Sequence, residues 1–402
     1  LPLIVSYSTS SLGRKYQLMR FEFATAGRII FGPGTIGEIG DLAAAMGRRA
    51  LLVTGKNVDR AAPVIEQLKV QGITITQFSI PGEPTTDLVL TAVDIARRGA
   101  CEFVIGMGGG SVLDAGKVVA ALLTNDGELM DYLEIIGGGQ ALSSKPATYI
   151  AIPTTAGTGA EVTRNAVLDS PQHRVKVSMR SPLMLPDLAL IDPEITCSLP
   201  PEITAVTGLD AFTQLLEAYV SVQANPLTDG ICREGLQRAA RSLKKAYSDG
   251  KNIHARRDMS LASLFGGLAL ANAKLGAVHG FAGPLGGMYD APHGALCAGL
   301  LPHVLDVNLK ALQSRAPESR AINRYDEVAR IITGRSTDRA AEGINWIQEL
   351  CSQLQVPRLS EYGVRKEDLY TIVLKSKDAS SMKGNPILLT EAELLEVLTK
   401  AL

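Results

Sequence analysis

Over its first half the chain repeats one unit: a short apolar run, an amphipathic stretch, then another apolar run. Residues 50–54 (ALLVT), 74–80, 103–105 and 149–152 are the apolar runs, and their length and β-branched content predict strands. Between them, residues 60–71, 87–99 and 111–123 have helical spacing, with Leu88, Ala92, Ile95 and Ala96 on one face of the second stretch. Strands alternating with amphipathic helices predict a doubly wound parallel sheet. From about Pro200 the pattern changes to long Leu- and Ala-rich segments with polar punctuation, 205–222, 229–246 and 258–275, which predict an all-helical second half. Asp192-Pro193 and Leu199-Pro200-Pro201 lie where the period switches, and proline disfavours a continuous helix there. The expected boundary falls near residue 195, giving an α/β unit over 1–195 and a helical unit over 196–402. Internal repeats and low-complexity tracts are absent from the sequence.

Composition narrows the function classes. Of 402 residues, 46% are hydrophobic and 20% charged, the balance of a globular protein with a substantial core. Forty Lys and Arg stand against 41 Asp and Glu, so no overall field favours nucleic acid or an acidic membrane. The expected partners are a small-molecule substrate and copies of the chain itself. Five scattered cysteines, none in a C-x-x-C pair, fit free thiols in a reducing, cytoplasmic compartment and exclude zinc-finger chemistry. The opening LPLIVSYSTSSLGRKYQLM lacks the basic-then-apolar layout of a secretory signal, and Met19 is the expected natural start. The apolar stretch 261–287 is interrupted by Asn272, Lys274 and His279 and reads as closely packed helix and loop, not a membrane span.

Two loops carry candidate chemistry in the first half. The 103–105 run leads into Gly106-Met107-Gly108-Gly109-Gly110-Ser111 with a helix immediately after, so backbone N–H groups and the positive helix end can meet a diphosphate. Ser111 with Asp114 also has the spacing of a capping box, so part of the pattern is open to a purely structural reading. The second loop, 153–161, presents Thr154, Thr155, Thr158 and four Gly or Ala residues, and threonine hydroxyls can both donate to and accept from a ribose or carboxamide. Two such loops at the carboxyl ends of strands in one sheet predict a ligand crevice.

The second half carries a metal-ligand constellation. Asp210 and Gln214, four apart in a predicted helix, face the same way; His279 and His293 fall in one Gly-rich segment although the chain has only five histidines. One carboxylate and two imidazoles suffice to hold Zn²⁺ or Fe²⁺ with positions left for a substrate oxygen. His173 and His254 sit in charged surroundings and read as surface residues, and His303 reads as structural.

Taken in order, these motifs resemble the iron-containing (group III) alcohol dehydrogenase family. The resemblance runs from Phe31-Gly32-Pro33-Gly34 to Asn385-Pro386. It includes the Gly-Gly-Gly-Ser-x-x-Asp-x-x-Lys stretch at 108–117, the Thr-Thr-x-Gly-Thr loop at 154–158, Leu190-Ile191-Asp192-Pro193, Thr207-Gly208-Leu209-Asp210-Ala211, 224–229, Leu285-Gly286-Gly287 and Pro292-His293-Gly294. It implies a dehydroquinate synthase-like two-domain architecture: a Rossmann-like dinucleotide-binding domain followed by an all-α metal and substrate domain. In the family the metal is held by an Asp, a His four residues later, and two further His fourteen apart; Asp210, His279 and His293 match three of these positions. The fourth is Gln214, a weaker neutral oxygen donor. A second departure is Gly283, where many members place a histidine assigned to proton relay, which puts efficient oxidation of simple alcohols in doubt.

The resemblance implies that Gly109, Gly110, Ser111 and Asp114 hold the cofactor diphosphate, that Thr154, Thr155 and Thr158 lie near the nicotinamide, and that Thr163 and Lys176 approach the same half. After the first strand stand Gly55 and Lys56, where NAD-preferring members often carry an acidic residue; without a carboxylate there, and with Lys56 able to attract a 2′-phosphate, NADP(H) is favoured over NAD(H). The expected activity is hydride transfer between the nicotinamide and a small alcohol, aldehyde or oxo-acid, by a homo-oligomer. Three rivals stay open: a metal-free reductase of the maleylacetate reductase type, a dehydroquinate synthase-like lyase, and a catalytically silent nucleotide-binding protein. The lyase needs many basic residues for a phosphorylated substrate, and 268–301 contains only Lys274.

Overall fold

The computed structural model describes residues 20–402 except Arg174; the opening segment with Met19 lies outside the described residues. Among the described residues, eight strands occupy the first half: β1 (Arg28–Phe31), β2 (Arg49–Thr54), β3 (Thr74–Ser79), β4 (Phe103–Gly108), β5 (Thr148–Pro153), β6 (Asn165–Ser170), β7 (Val175–Arg180) and β8 (Leu188–Ile191). Six of them form one parallel sheet in the order β1-β8-β5-β4-β2-β3, while β6 and β7 pair antiparallel as a separate hairpin. Helices α1 (Ile39–Ala44), α2 (Ala62–Val70), α3 (Thr86–Arg98), α4 (Gly110–Thr124) and α5 (Leu129–Tyr132) accompany the sheet.

Both faces of the sheet are covered. Leu51, Val53, Val104 and Ala151 pack with Val89, Val93 and Val118 on one side; Ala50, Leu52, Phe103, Ile105 and Ile150 pack with Ile39, Val64 and Leu68 on the other. Successive residues of β2 and β4 thus serve opposite cores, as the two-residue strand period requires, and the strands read as unbroken apolar runs because neither face meets water. From β2 the chain steps outward to β3 and then returns to place β4 on β2's other side. That reversal is a topological switch point, where such sheets open a crevice at the strands' carboxyl ends.

The second half consists of α6 (Pro201–Val220), α7 (Pro226–Ser248), α8 (Ile253–Ala273), α9 (Ala277–Met288), α10 (His293–Arg315), α11 (Arg320–Thr333), α12 (Ala340–Gln353), α13 (Leu369–Ser376) and α14 (Glu391–Ala401). Helix α6 is buried nearly all round against α7, α8 and α10, yet it carries Asp210, Gln214 and Glu217 inside the core. These residues stand at i, i+4 and i+7, one polar stripe on an otherwise apolar helix. Helix α10 is long and apolar enough to cross a membrane by length and composition, but 78% of its most apolar window is buried within the fold.

The two halves meet through residues 193–200. Arg256, only 2% exposed, donates to the carbonyls of Gly250 and Leu199 and to Thr204 Oγ1, which ties α8 to the start of α6. The predicted strands and helices all form, with ends shifted by a few residues. The β6–β7 hairpin, the edge strand β1 and its neighbour β8 were not expected: β6 and β7 alternate polar and apolar residues, and β1 and β8 are only four residues long. The hairpin strands fall short in apolarity and the four-residue strands in length, the two properties by which β2, β4 and β5 stand out.

Candidate metal and cofactor site

The three sequence-predicted metal ligands come together. Asp210, in the middle of α6, is 2% exposed; its Oδ1 lies 3.2 Å from His279 Nε2 and 3.8 Å from His293 Nε2. His279 sits in the first turn of α9 and His293 begins α10, so the fourteen-residue spacing is a helix, a short turn and the next helix start. Gly294 lets α10 approach α6: a Cβ there would meet the Val206 carbonyl at 2.5 Å. The side chain of His279 is 7% exposed and that of His293 38%, so the cluster opens toward solvent on the His293 side.

Two participants were missed by sequence reasoning. Glu217 Oε2 lies 2.7 Å from His279 Nδ1, and its Oε1 accepts the Val278 N–H at 2.7 Å. This carboxylate fixes the ring so that Nε2 faces Asp210. Its signal was available as the i+7 partner of Asp210 on α6. Cys297, four residues after His293, places its ligand atom in one group with those of Asp210, His279 and His293, all within 4.8 Å of one another. The H-x-x-x-C spacing signals it only once a helix is known to start at His293.

Gln214 is buried, and its Oε1 has no hydrogen-bond partner; that oxygen points at Gly266, where a Cβ would come within 2.8 Å of it. Burial alone would raise the Asp210 carboxyl, but the hydrogen bond from His279, the charges of both imidazoles and the Gln214 amide hold it below the usual range. Burial works against a charged His279, yet the Cys297 thiolate, Asp210 and Glu217 raise it well above the usual imidazole range. His293 is raised chiefly by the Cys297 charge. Two acidic groups and two imidazoles converging on one point are a donor set that fits a divalent transition metal, which would take the place of the protons on the imidazoles.

The cofactor loops also converge. Helix α4 begins at Gly110 with Gly109 as its N-cap and no side-chain cap, so the Ser111–Asp114 capping box does not form and the first N–H groups are free for an anion. Gly109 and Gly110 lie against the second loop: a Cβ on Gly109 would sit 3.5 Å from Thr155, and one on Gly110 2.8 Å from Thr158. Thr154 donates its N–H to the Gly108 carbonyl at 2.9 Å, joining the two loops. Gly55 and exposed Lys56 follow β2 on the other side of the switch point, with Gly55 beside Val112.

Asp114 and Thr163 are engaged inside the fold. Buried Lys117 donates to Asp114 Oδ1, Thr163 Oγ1 and the Asn165 carbonyl, while Asp114 Oδ2 accepts the Val167 N–H. This network holds α4 against β6 and so sets the spacing of the two loops. Beside it, burial pushes the Glu161 carboxyl up to about 7. Lys176 pairs with Glu83 at 3.2 Å and lies along Gly286 of α9.

The second loop also reaches the metal cluster. A Cβ on Gly157 would meet Thr207, one helical turn before Asp210, and Gly159 packs directly on Gly267 of α8. The hydroxyl-rich second loop and the helix that carries Asp210 are therefore in contact.

Comparison with known proteins bears on the same reading. The family model for iron-containing alcohol dehydrogenase matches residues 26–193, and that for the C-terminal part of the Fe-containing alcohol dehydrogenase family matches 204–402. The chain is 35% identical to 1,3-propanediol dehydrogenase of Klebsiella pneumoniae over 95% of its own length and 98% of that enzyme's. It is 33% identical to choline dehydrogenase of Bacillus subtilis, covering 91% and 90% respectively. Among solved structures, a 1,3-propanediol oxidoreductase superposes with a TM-score of 0.89 at 32% identity, covering 96% of this chain and 100% of that one.

Proposed function

The chain belongs to the iron-containing alcohol dehydrogenase family and is an NAD(P)-linked, metal-dependent oxidoreductase acting on CH–OH groups; we propose that its reaction is run by Asp210, His279 and His293 beside the loops at 108–111 and 154–158. In this reading residues 1–195 bind the dinucleotide and 196–402 hold the metal and substrate. The observation that carries it is the meeting of Asp210 Oδ1, His279 Nε2 and His293 Nε2 on helices that touch the Thr154–Thr158 loop.

A divalent metal bound there would polarise the substrate oxygen and stabilise negative charge developing on it. The chain's own residues do the rest. Glu217 orients His279, and the half-open face of His293 leaves the approach for an alcohol or carbonyl. The free N–H groups at the start of α4 would hold the diphosphate, with Gly109, Gly110 and Ser111 supplying backbone close to it. Thr155 and Thr158 would border the nicotinamide, which supplies or accepts the hydride when bound, and aligning it with the substrate carbon is the main task left to the protein. Asp114, Lys117 and Thr163 act behind this surface by fixing loop positions.

Lys56 favours NADP(H), since it stands exposed after β2 with no carboxylate at the neighbouring Gly55. The relatives' names point to small primary alcohols and their aldehydes as the substrate class. An NADPH and NADH oxidation screen over aldehydes, ketones and oxo-acids, run with added zinc, added iron or chelator, tests the reading. Turnover that depends on metal supports it; equal turnover with chelator favours the metal-free reductase instead.

A further inference from the structure

Cys297 is a fully buried thiol placed where the metal cluster needs one more donor. It stands four residues after His293 on α10, so both project from the same face of that helix. Its Sγ lies 3.6 Å from His293 Nε2. A tetrahedral ion with bonds of about 2.0–2.1 Å to N and O and about 2.3 Å to S has N–O edges of roughly 3.3 Å and N–S edges of roughly 3.6 Å. Of the six edges here, the two N–O edges are 3.2 and 3.8 Å and the N–S edge to His293 is 3.6 Å, with all four ligand atoms within 4.8 Å of one another. Among the described residues, no other group of three or more His, Cys, Asp and Glu ligand atoms is this compact. The other buried thiols, Cys232 and Cys351, belong to no such group.

Gln214 occupies the position where the resemblance leads one to expect an imidazole, but its carbonyl oxygen is turned toward Gly266 on α8. We infer that Cys297, as a thiolate, supplies the fourth protein ligand in place of Gln214, so that the metal is held by an Asp–His–His–Cys set and a substrate oxygen would add as a fifth donor. This rests on the reading of Asp210, His279 and His293 as ligands. On binding, the thiol S–H bond breaks, its proton leaves to solvent, and a metal–sulfur bond forms, with no change of oxidation state. Two anionic ligands then neutralise the dication, and the soft sulfur shifts preference toward zinc and away from oxygen-seeking ions such as Mg²⁺ or Mn²⁺.

The test uses the full chain, stripped with chelator and reloaded with one equivalent of Co²⁺, a spectroscopic stand-in for zinc. The wild type should show a near-ultraviolet thiolate-to-cobalt charge-transfer band. Cys297→Ser and Cys297→Ala should lose that band and hold metal roughly 10–100-fold more weakly, whereas Gln214→Leu should keep it. Cys297→His, which restores a nitrogen donor, should bind cobalt tightly without the band; this shows that loss of the band does not reflect loss of the fold. Stoichiometric cobalt without a charge-transfer band in the wild type, or a band that survives in Cys297→Ser, overturns the assignment while leaving the three-ligand site standing. No stoichiometric cobalt in the wild type, with Asp210→Asn indistinguishable from it, overturns both.

Discussion

Glu217 holds His279 through one carboxylate oxygen, 2.7 Å from the ring Nδ1, while its other oxygen accepts the N–H of the preceding residue, Val278, at 2.7 Å. The first turn of α9 is capped by the same group that orients the proposed ligand, so helix start and ring orientation are set together. Glu217→Gln keeps the size but offers one carbonyl oxygen and an N–H₂ group in place of two acceptors. It should weaken metal retention about 10–100-fold, measured by competition with a chromogenic chelator. An affinity within about twofold of wild type would reduce Glu217 to a helix cap.

Metal and cofactor functions should separate by mutation. Asp210→Asn removes the central charge and should abolish metal-supported turnover while leaving NADPH affinity nearly intact. Gly110→Val does the reverse: its Cβ would already lie 2.8 Å from Thr158, and the added methyls intrude where the diphosphate is proposed to sit. It should cost at least about tenfold in cofactor affinity, roughly 1.4 kcal/mol, with metal content unchanged. Fluorescence titration with NADPH and metal analysis on both variants check the split; joint loss of both properties in Asp210→Asn would point to misfolding.

The central fold was legible because β2, β4 and β5 are buried on both faces and their residues are almost all apolar. Asp210, His279 and His293 could be singled out because polar ligands in apolar helices break the pattern visibly. Cys297 gave no such signal, since a cysteine inside Ala-Leu-Cys-Ala-Gly reads as one more small core residue. Its meaning depends on a helix starting at His293, and Pro292-His293-Gly294 reads as a turn. Asp114 shows the opposite case: its motif drew attention to the diphosphate, whereas its two oxygens are spent on Lys117 and the Val167 N–H. Sequence marks that such a residue matters but not which side of the loop it faces.

Cofactor preference should rest on Lys56. The side chain is exposed after β2, so its attraction for a 2′-phosphate is that of a screened surface charge, about 1 kcal/mol or roughly fivefold. Lys56→Ala should lower kcat/KM for NADPH by about that factor and leave NADH unaffected, with a shallower salt dependence for NADPH. Equal losses with the two cofactors would place Lys56 away from the adenosine ribose.

Glu161 links the cofactor loop to stability. Its carboxyl is 2% exposed, and burial raises it from the ordinary 4.5 to about 7, opposed only in part by a hydrogen bond from its own backbone N–H and by Lys117. The folded protein therefore holds this proton more tightly than the unfolded chain does. The sign follows: the contribution to stability is fully present below about pH 4.5 and is lost as pH rises through about 7. At about 1.4 kcal/mol per unit, the loss amounts to about 3 kcal/mol by pH 8. Glu161→Gln cannot ionise and keeps nearly the same shape, so it should be free of this loss. Urea-unfolding midpoints of both proteins, stripped of metal and measured at pH 5 and pH 8, compare the slopes directly. The wild type should lose more stability than the variant between the two, and parallel pH dependences would mean that Glu161 is ionised throughout, with Lys117 balancing its charge.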